Sequence, residues 1–112
     1  PYRQDRIEAL LEARATHDLD SFGKIQADEL SLATVKLLPA LRSARSEHRL
    51  AATVQAQLAT FDGVMAAERA EPLVFWAWAR HLTEAVLADE VGPEFLARTM
   101  VGSRNYRDAI EG

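Results

Sequence analysis

Few side chains in this sequence are spaced for chemistry. His17, Asp18 and Asp20 stand together, and an imidazole with two carboxylates is a donor set for a divalent metal. The same residue types also suit the start of a helix, where carboxylates accept unpaired backbone N–H groups and favour the positive end of the helix dipole. Neither of the other histidines, His48 and His81, stands at ligand spacing. The helix start is therefore the stronger reading, and no metal is expected. Asp28-Glu29 and Asp89-Glu90 are adjacent pairs. Neighbouring helical residues point about 100° apart, so these carboxyls do not converge on one bond as an acid and a base must. They read as solvated charges. Ser21, Ser31, Ser43, Ser46 and Ser103 lie in no G-x-S-x-G turn, and no glycine-rich loop is present to cradle phosphate. Pro1 offers an amine of the kind tautomerases use as a base. That chemistry needs the amine at a strand end, whereas Tyr2-Arg3-Gln4-Asp5 leads into a helix. Spacing alone therefore nominates no catalytic residue, and no cofactor is expected.

The elements that would position these residues are helical. Only 5 Gly and 4 Pro punctuate the 112 residues, and few stretches alternate with period two. Asp5–Ala13 carries Ile7, Leu10 and Leu11 on one face. Asp18 or Asp20 is the expected N-cap of a second helix. From about Ser21 that helix continues through Phe22, Ile25, Leu30, Ala33, Leu37, Leu38 and Leu41. Pro39 falls inside it, and the expectation is one long element bent there. A third helix takes Leu50, Val54, Leu58 and Phe61 and ends at Asp62-Gly63. Met65–Ala70 reads as a connector. Pro72 suits the first turn of a fourth helix, which Gly92-Pro93 stops. Glu94–Met100 suits a short last helix, and Val101–Gly112 reads as loosely ordered. The expected fold is all-α, an irregular bundle of four to five helices in one domain spanning residues 1–112. Trp76 and Trp78 point roughly 200° apart on a helix, so one narrow face cannot bury both. Either that helix is central, or one indole is exposed and favours self-association.

Composition narrows the class further. With 48% hydrophobic and 27% charged residues the chain is of ordinary globular type. Net charge is −4, with 13 basic and 17 acidic side chains. That balance argues against a phosphate-backbone partner, which needs a clustered basic face. No apolar run reaches the roughly 18–20 residues of a membrane span. The absence of cysteine excludes disulfides and thiol nucleophiles. The chain starts at Pro1 and ends at Glu111-Gly112 without a closing element, and it reads as a piece of a longer protein.

Five segments in register resemble the penicillin acylase (penicillin amidase) family of N-terminal-nucleophile hydrolases. Tyr2-Arg3-Gln4-Asp5-Arg6-Ile7 with Leu10-Leu11 is similar to the family's "YRAxRIxxLL" stretch. Ile25-Gln26-Ala27-Asp28-Glu29-Leu30-Ser31-Leu32-Ala33 resembles "LQxDxxSxxA", and Leu37-Leu38-Pro39-Ala40-Leu41 follows at the expected distance. Phe61-Asp62-Gly63-Val64-Met65-Ala66-Ala67 resembles "WDGxMxxDS", and Leu73-Val74-Phe75-Trp76-Ala77-Trp78 resembles "ALFxxWxxxL". The order and spacing hold to about Asp89. The departures are Phe61 where the family often has Trp, and Glu68-Arg69 where it often has Asp-Ser.

The resemblance implies an amidohydrolase acting on acylated amines such as β-lactams or acyl-homoserine lactones. Its precursor would be cleaved to expose a β-subunit whose first residue, a serine, is nucleophile and, through its α-amine, base. An α-amine titrates near pH 8 and can deprotonate a neighbouring hydroxyl. Pro1 is not that serine. The matching segment is helical, lies within the β-subunit, and follows both the serine and the oxyanion-hole asparagine. The chain is then a structural segment, inactive alone, whose partner is the remainder of a parent acylase, with a periplasmic or secreted location. One residue takes a site role through the resemblance: Arg3 matches the arginine that lies beside the active site and helps hold that asparagine. The alternative from another class is a stand-alone helical module whose apolar face binds a partner helix.

Overall fold

A computed structural model of the chain describes residues 2–99. Among them are six helices, and the fold is all-α. The chain divides into two compact units, residues up to Pro72 and residues from Leu73 onward.

The first unit opens with α1 (Tyr2–Glu12), which has no fully buried residue. Its Ile7 and Leu10 are half-buried. Next comes α2 (Leu19–Gln26), capped by Asp18. The Asp18 carboxylate accepts the Ser21 N–H at 2.8 Å, and the Ser21 hydroxyl accepts the Asp18 N–H at 2.9 Å. This reciprocal capping box satisfies two donors that a helix start leaves orphaned. It also explains how the Ser21 hydroxyl can be buried.

The long second helix expected from Ser21 past Leu41 is in fact two. α2 stops at Gln26, residues 27–31 form a link, and α3 (Leu32–Ser43) restarts from Ser31. Ser31 caps it by accepting the Thr34 N–H at 3.2 Å. The continuity expected at Pro39 is present, since α3 runs through it. Val35, whose carbonyl loses its usual donor there, and Pro39 both lie on the exposed face, where water can replace that donor. The expected third helix is shorter than its apolar stripe: α4 spans Ala51–Leu58, and Phe61 lies beyond it. Arg42 of α3 donates to the Leu58 carbonyl at 3.3 Å and to the Phe61 carbonyl at 2.6 Å. The Leu58 carbonyl also accepts the Phe61 N–H at 3.2 Å, so the guanidinium joins a tight turn at the helix end. The buried apolar side chains of this unit are Ala33, Leu38, Leu41, Leu58, Phe61 and Ala66.

The second unit comprises most of α5 (Glu71–Val91) and α6 (Pro93–Thr99). Pro72 sits in the first turn of α5, as expected. Gly92 separates the two helices with φ +77°, a left-handed conformation that glycine adopts without steric cost. Phe75, Ala79 and Thr83 form the buried stripe of α5, at i, i+4 and i+8. The Thr83 hydroxyl donates to the Ala79 carbonyl at 2.9 Å. Trp78 is half-buried and Trp76 is 38% exposed, and both rings lie against Phe75 at 5.9 and 5.5 Å between centroids. Leu73 and Val86 are more exposed still. The expectation for Val101–Gly112 lies outside the described residues.

Candidate functional site

Arg3 and Arg6 are three residues apart, so α1 presents them on one face. Both reach Asp28 in the link between α2 and α3. Arg6 grips the carboxylate with two bonds, Nε to Oδ1 at 2.9 Å and Nη2 to Oδ2 at 2.6 Å. This is the fork-to-fork geometry that makes arginine–carboxylate pairs strong and directional. The pair is mostly shielded, with the two side chains 25% and 16% exposed. Arg3 donates from Nη1 to the Asp28 backbone carbonyl at 3.4 Å and is otherwise exposed. Nearby, the Lys36 ammonium of α3 lies over the Tyr2 ring, 5.3 Å from its centroid.

The other edge of the link is tied to the Phe61–Met65 turn. Leu30 and Val64 form an isolated antiparallel bridge. The Ser31 N–H donates to the Gly63 carbonyl at 3.0 Å, and the Met65 N–H donates to the Glu29 carbonyl at 2.9 Å. Within the turn, Asp62 Oδ1 accepts the Val64 N–H at 3.1 Å and an Arg69 N–H at 2.8 Å. Arg69 also pairs with Glu71 at 3.2 Å and stacks over Phe61, 5.3 Å from the ring centroid. Arg69 and Glu68 stand where the resemblance departs from its pattern, and Arg69 is absorbed here as a structural clamp.

The electrostatics follow this geometry. The two bonds from Arg6 hold the Asp28 carboxyl below the ordinary carboxylate range, and the same pairing raises the Arg6 guanidinium. Asp62 is lowered chiefly by the Val64 N–H and then by Arg69, and Asp18 chiefly by the Ser21 N–H. A carboxyl with a depressed folded-state pKa stabilises the fold fully above its unfolded value, near 4. That contribution is lost as pH falls through the folded value. The chain is therefore expected to melt at a nearly constant temperature from neutral pH to about pH 5 and to lose stability below about pH 4. Asp28→Asn should melt lower at neutral pH and show a shallower acid fall. Thermal unfolding followed against pH checks this, and parallel acid limbs for the two proteins would contradict it.

The other residues with chemical potential are accounted for locally. His17 Nε2 donates to the Leu11 carbonyl at 2.8 Å, and its Nδ1 lies 3.2 Å from the Ser21 hydroxyl. With Asp18 as the cap, the trio is a helix junction. Among the described residues no group of three or more His, Asp or Glu converges to hold a metal. The run Ser21-Phe22-Gly23-Lys24 has the Ser-x-x-Lys spacing of some acyl-transfer enzymes, yet Ser21 is committed to Asp18 and Lys24 pairs with Asp20 at 2.7 Å. His48 Nδ1 accepts the Leu50 N–H, and His81 lies beside Glu84. Asp28 and Glu29 do not act on a common point. One binds Arg6 through its side chain and the other binds Met65 through its carbonyl.

Among the described residues the site is a frame of helix and turn contacts, in which Arg3 keeps donors beyond its one bond to Asp28. Residue-type reasoning missed Arg6, and Asp28, read from its spacing as a solvated charge, is instead paired with Arg6 and only 16% exposed. The available signal was the pairing of two arginines at i, i+3 with an aspartate in the next segment of the resemblance. A family model described as Penicillin amidase matches residues 1–111. Comparison with curated proteins and with solved structures returned no match.

Proposed function

The chain belongs to the penicillin amidase family, and from that premise we propose that it is a helical structural segment of a larger amidohydrolase. That enzyme cleaves amide bonds of acylated amines, with β-lactams and acyl-homoserine lactones as the substrate classes. The segment has no hydrolytic activity alone, and Arg3 supports the active site of the assembled enzyme. The observation that carries this reading is the convergence of separate motif segments on one frame around residues 27–31. It takes Arg3 and Arg6 from the first segment, Asp28 and Ser31 from the second, and Gly63 and Met65 from the fourth. Such a frame holds a cation in place without supplying a nucleophile. The exposed Leu73, Trp76 and Val86 of α5 supply apolar surface for the remainder of the parent chain.

The test compares the full-length protein with the 112-residue chain on a chromogenic acyl-anilide. Turnover is expected from the first and none above buffer from the second. In the full-length protein, Arg3→Lys keeps the charge and removes the planar fork. It should lower kcat by about tenfold or more, less than the roughly 10²–10³ lost when a direct oxyanion donor is removed. The melting temperature should stay unchanged, because Arg3 makes little contact with the fold. Hydrolysis by the isolated chain, or wild-type kcat in Arg3→Lys, would overturn the corresponding half of the reading.

A further inference from the structure

We propose that Asp28, gripped by Arg6, is the positioning residue for Arg3, so that an ion pair outside the reaction centre sets where that guanidinium points. The proposal rests on the reading above, in which Arg3 supports an acylase site, and it concerns what makes Arg3 effective there. Of the two arginines on this face of α1, only one can reach outward. Arg6 commits Nε and Nη2 to the Asp28 carboxylate. Arg3 has one bond among the described residues, from Nη1 to the Asp28 carbonyl, and its remaining donors are left for a partner. A long exposed side chain held by one bond at 3.4 Å gains little stability from it. The bond biases direction once a partner takes the remaining donors, and it does so only if the acceptor is itself immobile.

The acceptor is held from four sides, one of them the Leu30 N–H on its carboxylate. Arg6 fixes the carboxylate of the same residue. The Asp28 N–H donates to the Ile25 carbonyl at 3.3 Å, at the end of α2. The following residues are pinned to the Phe61–Met65 turn through the Glu29 carbonyl and the Ser31 N–H. Losing the Arg6 grip would free the residue between these anchors and let its carbonyl rotate. Arg3 would then lose its aim while keeping its charge. Small misplacements of this kind lower the rate of the chemical step and leave ground-state binding nearly untouched.

The experiment is a mutant cycle in the full-length protein, read as kcat, KM and melting temperature. Asp28→Asn keeps the backbone carbonyl and the side-chain shape but loses the two-pronged ion pair. It is expected to lower kcat by about tenfold with KM within about twofold of wild type. Arg3→Lys/Asp28→Asn should be no slower than Arg3→Lys alone, since Asp28 acts through Arg3. Arg6→Lys retains charge without the fork, and should give a kcat between wild type and Asp28→Asn. If Asp28→Asn does not yield folded protein, Arg6→Lys carries the same test. A merely structural role would lower the melting temperature and leave kcat of the folded fraction unchanged, and that result overturns the proposal. So does a double variant slower than Arg3→Lys by the full effect of Asp28→Asn. A wild-type kcat in Arg3→Lys would instead overturn the underlying reading of Arg3, a distinct outcome from Arg3→Lys being slow and Asp28→Asn being normal.

Discussion

Phe61→Ala should destabilise the chain by about 3–5 kcal/mol, the range for deleting a fully buried phenylalanine side chain. Phe61 is 1% exposed and among the largest fully buried side chains. It stands outside any helix, three residues beyond the end of α4, so its ring is the main anchor of the turn that follows. Arg69 covers the ring, and Arg42 holds the carbonyl of the same residue. Removing the ring leaves a cavity and takes the stacking surface from Arg69, whose bonds to Asp62 and Glu71 remain but lose their backing. Urea unfolding followed by helical circular dichroism measures the loss as a lower midpoint. Phe61→Trp, the residue the family often has here, should cost about 1–3 kcal/mol if the site is closely packed. A loss below about 1 kcal/mol for Phe61→Ala would show that the surrounding side chains collapse into the space or that the ring contributes little.

Gly63→Ala should cost about 2–5 kcal/mol, from two sources of comparable size. Gly63 has φ +90°, and a residue with a Cβ in the left-handed region is penalised by roughly 1–2 kcal/mol. The new methyl would also meet Val35 Cγ2 at 2.8 Å and the Ser31 carbonyl oxygen at 3.4 Å. Val35 is β-branched and sits in α3, where essentially one χ1 rotamer is open to it. Its methyl cannot swing aside, so the backbone must move, and overpacking of this kind costs about 1–3 kcal/mol. The moving part would be the Gly63 carbonyl that accepts the Ser31 N–H. The two contributions separate in a second background. In Val35→Ala the steric part should disappear and the conformational part should remain, so Gly63→Ala should then cost roughly half as much. Equal costs in both backgrounds would mean that backbone conformation alone sets the penalty.

Both predictions concern one turn, and that turn shows where sequence reasoning stops. The apolar positions Ile25, Leu30, Ala33 and Leu37 keep a helical rhythm across residues 27–31, and no glycine or proline interrupts them. Nothing local ends α2 at Gln26. The link is extended there because the Glu29 carbonyl and the Ser31 N–H are taken by residues 63–65, and Asp28 is taken by Arg6. Likewise the stripe Leu50, Val54, Leu58, Phe61 reads as one helix. α4 stops at Leu58, whose carbonyl is shared by the Phe61 N–H in a tight turn and by Arg42, 16 residues upstream.

By itself the sequence determined the features whose cause lies within a few residues. These are the all-α class, an aspartate cap at Asp18 or Asp20 for α2, the continuity of the helix through Pro39 and the Gly92-Pro93 stop. Each follows from periodicity, a capping side chain, or the restrictions of glycine and proline, all local effects. Through a family resemblance the sequence also singled out Arg3. Tertiary structure alone decided where residues 27–31 leave the helix, that Arg6 rather than Arg3 is spent on Asp28, and that Arg69 clamps the turn. Those outcomes depend on groups brought together from 7 to 36 residues apart, as in the Asp62–Arg69 and Glu29–Met65 contacts. A hydrogen-bonding group takes whichever partner the packed core places within reach, and periodicity along the chain carries no record of that partner.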